Sequence, residues 1–133
     1  MTREELLAMP ARAYMNKAQL TYFRERLLEM REEILADIHA AREDLQQNDR
    51  AADELDRASA EEARRLTMRV QEREQRLLHK IDQALQRIES GEYGYCEQTG
   101  EPIGLPRLLA RPTATLCIEA KERLERTAHL YHG

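Results

Sequence analysis

The sequence has no tryptophan and one phenylalanine, and aromatic residues make up only 5% of its 133 positions. Too few large rings are present to fill a thick globular core; the composition suits helices that bury narrow stripes against one another. Cysteine occurs only twice, at Cys96 and Cys117. No run approaches the roughly 20 apolar residues needed to cross a bilayer. The first residues set acids beside Arg3 and hold no long apolar stretch, so no secretory signal is read there. A cytoplasmic location is expected, with both thiols reduced. There is no glycine-rich phosphate loop, nucleophile elbow, internal repeat or low-complexity tract, and nothing marks the chain as an enzyme. With 35% charged residues, the net charge is still only −4, which argues against a nucleic-acid binder by composition.

What is present is periodicity. Residues 1–15 read as a mobile N-terminal arm that includes Pro10. Asn16 followed by Gln19 has the spacing of a capping box, so a helix should begin there. Leu20, Phe23, Leu27, Met30, Ile34, Ile38, Ala41 and Leu45 follow in steps of three and four, the seam of a coiled coil. Neither glycine nor proline interrupts them. A second run, Leu66, Val70, Leu77, Ile81, Ala84 and Ile88, repeats the spacing with Arg73 on the seam. Ser59 with Glu62, or else Asp56, could cap this helix, and Ser90-Gly91 should stop it. Two helices of this length, each about 45 Å at 1.5 Å per residue, should fold back antiparallel across a short polar connection.

The expected fold class is therefore mainly α. Residues 16–90 form a long antiparallel coiled-coil hairpin with its tip near 48–58, and residues 91–133 form a small globular base. The base is turn-rich and short-stranded around Gly100, Pro102, Gly104, Pro106 and Pro112. From about Thr115 it turns helical, with Leu116, Ala120, Leu124 and Ala128 on one face. Charge reverses along the hairpin: residues 48–62 carry six acids against Arg50 and Arg57, whereas residues 64–87 carry seven basic residues against three acids. A solvated helix surface is the plain reading of such charge; the reversal of sign gives it functional interest.

Cys96-Glu97-Gln98-Thr99 and Cys117-Ile118-Glu119-Ala120 share one frame, that of a Cys-x-x-Cys knuckle with its second cysteine replaced. Four cysteines at these positions would make a zinc ribbon, but Thr99 and Ala120 cannot supply the thiolates of a closed four-ligand site. This is a degenerate zinc finger: zinc is expected to be absent, with Leu105, Leu108 and Ile118 holding the base by packing. Close approach of the two cysteines would also allow a reversible disulfide.

Tyr95-Cys96-Glu97, Gly100, Ile103-Gly104, Arg107-Leu108, Ala110-Arg111-Pro112-Thr113-Ala114 and Leu116-Cys117-Ile118 resemble the C-terminal signature of the DksA/TraR family. Asp53-Glu54-Leu55-Asp56-Arg57-Ala58, then Glu61-Glu62, resemble that family's coiled-coil tip, and Tyr14-Met15-Asn16 to Phe23-Arg24 the start of its first long helix. The likeness spans about residues 14–133. It implies a regulator of transcription initiation that enters the secondary channel of bacterial RNA polymerase and binds no promoter DNA. With ppGpp as effector, such regulators inhibit ribosomal RNA promoters and activate some biosynthetic ones. By the same resemblance, Asp53, Asp56 and Ala58 would act at the polymerase active site. Arg73, Arg76, Leu77, Lys80, Arg111 and Lys121 would form the ppGpp and polymerase interface; the positive charges at these positions suit a ligand with two pyrophosphates. Family members with incomplete cysteine sets are zinc-independent paralogues, and this chain resembles those.

Two other readings fit parts of the sequence. A Gre-like transcript-cleavage factor has a similar finger with an acidic tip but a different globular domain. A plain coiled-coil adaptor fits the seam equally well and would be a dimer, where the regulator is expected to be a monomer.

Overall fold

A computed structural model describes residues 1–51 and 57–132, without the side chains of residues 48–51, 131 and 132. Its helices are α1 (Arg3–Leu7), a 3-10 turn (Ala11–Ala13), α2 (Lys17–Ala51), α3 (Arg57–Ser90), α4 (Leu105–Ala110) and α5 (Ile118–His132). Among the described residues there is no strand, only an isolated antiparallel bridge between Tyr95 and Pro102. The chain is mainly helical, as expected, and α2 and α3 pair as a hairpin. It divides into two units: Met1–Leu27 with Gln83–Gly133, and Leu28–Asp82.

The Leu28–Asp82 unit is the paired run of the long helices. On α2, Ile34 and Ile38 are buried and Met30, Ala41 and Leu45 half-buried, so the expected seam is the observed one. On α3 the expected run holds at Leu77, Ile81, Ala84 and Ile88, which are buried or half-buried, but nearer the start of the helix the shielded positions are Thr67, Gln71 and Glu74, one residue beyond Leu66, Val70 and Arg73. Leu66 is 62% exposed and Val70 49% exposed. Both stripes keep heptad spacing. The observed one keeps Arg73 in water rather than burying a guanidinium without a partner, at the cost of exposing two aliphatic side chains. Arg31 Nε donates to Asp82 Oδ1 at 2.9 Å across the pair.

The other unit joins both ends of the chain. Asn16 Oδ1 accepts from the Gln19 N–H at 2.9 Å and caps α2. The side chain of Gln19 passes over Asn16 and accepts instead from the Met15 N–H at 2.8 Å. Residues 1–15 are docked rather than free: Leu6 is fully buried, and the Tyr14 hydroxyl donates to Gly94 O at 2.6 Å and accepts from the Gly104 N–H at 2.9 Å. The end of α3 is a Schellman turn. Gly91 has φ +82°, its N–H donates to Ile88 O, and the Glu92 N–H donates to Arg87 O. Because α3 already runs at Arg57, Ser59 lies inside its first turn and is not the cap; Asp56 lies outside the described residues. Where turns and short strands are expected, Gly104-Leu105-Pro106 instead starts α4, with proline in the first turn, where its missing N–H costs nothing.

Candidate functional site

The base is assembled around Tyr93. Its ring is buried against Phe23, with centroids 5.7 Å apart, and its hydroxyl donates to Pro112 O at 2.7 Å. Burial holds the phenol proton on, raising its pKa well above the ordinary value. This one side chain ties the end of α3 to the Arg111-Pro112 segment. Gly94, next in line, has φ +90°, and a Cβ there would come within 2.7 Å of the Met15 thioether. Glycine is required on both counts.

Arg87 is a residue that sequence reasoning missed. Its guanidinium donates to Glu92 O at 3.1 Å and Tyr95 O at 2.9 Å, and it contacts the Glu97 carboxylate at 3.3 Å. An arginine three residues before the last helical residue, followed by glycine and two glutamates, is the only signal; in sequence it looks like one more charge on a basic helix.

The knuckle itself is closed by backbone bonds. The Cys96 N–H donates to Glu101 O at 2.8 Å and the Gly100 N–H to Cys96 O at 3.0 Å. Cys96 is buried and Cys117 half-buried, and both are free thiols. Thr99 Oγ1 accepts from the Glu101 N–H at 3.2 Å and stands 3.8 Å from Cys117 Sγ. Burial pushes the Cys96 thiol up. The Thr99 hydroxyl and the N–H groups of Cys117, Thr99 and Gln98 outweigh it and hold the thiol at about 6. Ala120, at the fourth knuckle position, is fully buried.

The remaining predicted site residues fall in separate places. Asp53 and Asp56 lie outside the described residues, and Ala58 is exposed in the first turn of α3. Arg73, Arg76 and Lys80 are exposed on α3 with Leu77 half-buried; with Arg69 they follow one helical face, and Leu66 and Val70 flank it. Among the described residues these four cations have no ion-pair partner. In the other unit, Arg111 and Lys121 line one groove with Pro106, Arg107, Ala110 and Ile118. The Arg107 Nε donates to Leu116 O at 2.9 Å and so props one wall of that groove. Lys121 meets Glu125 only at 3.9 Å, which leaves its ammonium available to an anion.

Comparison with known proteins gives this arrangement a lineage. Residues 19–88 match the family model described as the DnaK suppressor protein DksA N-terminal domain, and residues 91–126 match the prokaryotic dksA/traR C4-type zinc finger. The chain is 51% identical to the RNA polymerase-binding transcription factor DksA of Caulobacter vibrioides, over 89% of this chain and 84% of that protein. It is 41% identical to the protein of the same name from Escherichia coli K12, over 87% of this chain and 78% of that one. The solved structure of transcription factor DksA2 from Pseudomonas aeruginosa superposes with a TM-score of 0.90 at 53% identity, covering 96% of this chain and 99% of that one. A C4 zinc finger has four thiolate donors. Here two are replaced by the Thr99 hydroxyl and the Ala120 methyl, and among the described residues no third His, Cys, Asp or Glu joins the pair. The residues present do not fit tetrahedral zinc, although the surrounding knuckle is that of the family. On its sequence match over most of its length, this chain belongs to the DksA family.

Proposed function

We propose that this chain binds bacterial RNA polymerase in the secondary channel and regulates transcription initiation there, with ppGpp as effector. It does so as a cytoplasmic monomer without zinc, without binding DNA and without catalysis of its own. The observation that carries the reading is the exposed α3 face. Four cations and the flanking Leu66 and Val70 are left outside the chain's own packing, which is what a docking helix presents and an internal coiled-coil face does not. The names of the relatives, RNA polymerase-binding transcription factors, supply the partner. The groove of Arg111 and Lys121 adds two cations beside an apolar floor, suited to the phosphates of ppGpp, with Arg73, Arg76, Leu77 and Lys80 as the positions on α3. Asp53, Asp56 and Ala58 are the residues proposed to act at the polymerase active centre, where carboxylates can accept hydrogen bonds or perturb a nearby Mg²⁺ ion.

The experiment is purified transcription from a ribosomal RNA promoter, with and without ppGpp, in a strong zinc chelator. Inhibition that ppGpp deepens and the chelator leaves unchanged is the expected result. Failure to bind polymerase would end this reading, whereas inhibition lost on chelation would end only its zinc-free part. Asp56→Asn should keep polymerase binding in a competition assay and lose regulation. Removing the charge of Lys80 or Lys121 should weaken the ppGpp response more than basal inhibition; equal loss of both would remove the ligand role.

A further inference from the structure

Residues 1–15 are fastened in place by two methionine sulfurs, one tyrosine hydroxyl and one buried amide. We propose that Met15 is an oxidation site: conversion of its thioether to the sulfoxide by a hydroperoxide releases residues 1–15 from their docked position. This inference is independent of the polymerase reading and concerns only the unit that joins the two chain ends.

Gln19 links the arm to α2. Its side chain is fully buried, its Oε1 accepts from the Met15 N–H at 2.8 Å, and its Nε2 donates to Met9 Sδ at 3.4 Å. The Met15 backbone has φ +55°, a left-handed conformation that a residue with a Cβ keeps only when its surroundings hold it. Packing supplies that hold. Met15 Sδ lies 2.6 Å from the point where a Cβ on Gly94 would stand, and Gly94 is itself buried, so the sulfur rests on the glycine backbone. The Tyr14 hydroxyl lies 3.3 Å from the same point and is already committed to Gly94 O and the Gly104 N–H.

A thioether suits this place because it is slim and apolar. In the oxidation the peroxide O–O bond breaks and an S–O bond forms; the sulfur gives up two electrons and hydrogen peroxide leaves as water. The product is polar and carries a strong acceptor oxygen. Against Gly94 that oxygen has neither room nor a free donor, and burying it unpaired is costly. The side chain therefore turns out to water, and the left-handed junction loses its support. Met9 differs, because its sulfur already accepts from the Gln19 amide and a sulfoxide oxygen there can take the same donor. Met15 is only half-buried, which lets a molecule as small as hydrogen peroxide reach it. Release uncovers Leu6 and the backbone groups of Gly94 and Gly104 that Tyr14 now covers.

The test treats the full chain with hydrogen peroxide and then with dithiothreitol, which returns reversibly oxidised cysteines to thiols and leaves sulfoxides in place. Peptide mass spectrometry scores each methionine, with the exposed Met1 and Met68 as markers of complete treatment. Trypsin cleavage after the exposed Arg12 reads the docking of the arm. Once Met15 is oxidised, that cleavage should quicken by more than about 10-fold with helical circular dichroism unchanged. Met15→Leu, which keeps Met9 and both cysteines, should show no such increase after the same treatment. Methionine sulfoxide reductases acting on the oxidised parent chain should restore protection in step with Met15, and this comparison decides the matter if Met15→Leu is cleaved fast before any treatment. The proposal is overturned if Met15 stays a thioether when Met68 is fully converted, or if the Met15-oxidised chain is cleaved no faster than the untreated one. It is equally overturned if Met15→Leu responds to peroxide as the parent does, or if protection returns while Met15 remains oxidised.

Discussion

Of the seven largest fully buried side chains among the described residues, six (Leu6, Gln19, Phe23, Leu27, Tyr93 and Leu108) belong to the unit that joins the two chain ends; Ile81 alone belongs to the paired-helix unit. The first unit is held by individual fits: a tyrosine hydroxyl on a named carbonyl, a glycine under a thioether, an arginine gathering three acceptors. The second is held by repetition, each turn of seam contributing a little. A structure of the first kind fails at single residues, and one of the second kind degrades gradually.

Substitution can break this contrast or sharpen it. The largest expected effect is Phe23→Ala, which opens a cavity beside Tyr93 and should cost about 3–5 kcal/mol in urea unfolding; Ile38→Ala on the paired-helix seam should cost about 2–3 kcal/mol. Equal losses would erase the distinction. Next comes the pH dependence carried by Cys96. Its folded pKa of about 6 lies below the ordinary 9.0, so the folded state binds fewer protons than the unfolded state in that interval. The stabilisation is therefore complete above pH 9 and is lost as pH falls through about 6. The urea midpoint of the parent chain, relative to Cys96→Ser, should rise from pH 6 to pH 9; a constant difference would remove the N–H shell from the account. The smallest effect is Tyr93→Phe, about 1–2 kcal/mol, from leaving Pro112 O without its buried donor.

Most of the fold was legible because α2 carries one unbroken apolar seam. The α3 seam was right from Leu77 to Ile88 and misplaced by one residue before that, because two interleaved stripes there both keep heptad spacing. Leu66 and Val70 are the more apolar choice, and the cost of burying the Arg73 guanidinium on the same stripe is what tells against them. The base yielded less. Its glycine and proline punctuation showed turns, but α4 arises from a six-residue stretch too short for periodicity to register. The docking of residues 1–15 depends on the Tyr14 hydroxyl meeting partners 80 and 90 residues away. The knuckle positions were readable by spacing alone. The approach of Thr99 to Cys117 was not, since in sequence Thr99 appears only as a missing ligand.

Two ion pairs across the long helices, Arg24 with Glu89 and Arg31 with Asp82, are separated by seven residues on each helix. The hairpin therefore has a natural unit of length. Seven residues removed from both helices at matching places would shorten it by about 10 Å and leave every remaining side chain facing as before. A single residue removed from α3 alone would turn Arg87 by about 100° against its own seam, and the loops it gathers would lose their clamp. Length in these two helices is therefore counted in sevens, the step that keeps each charged side chain opposite its partner.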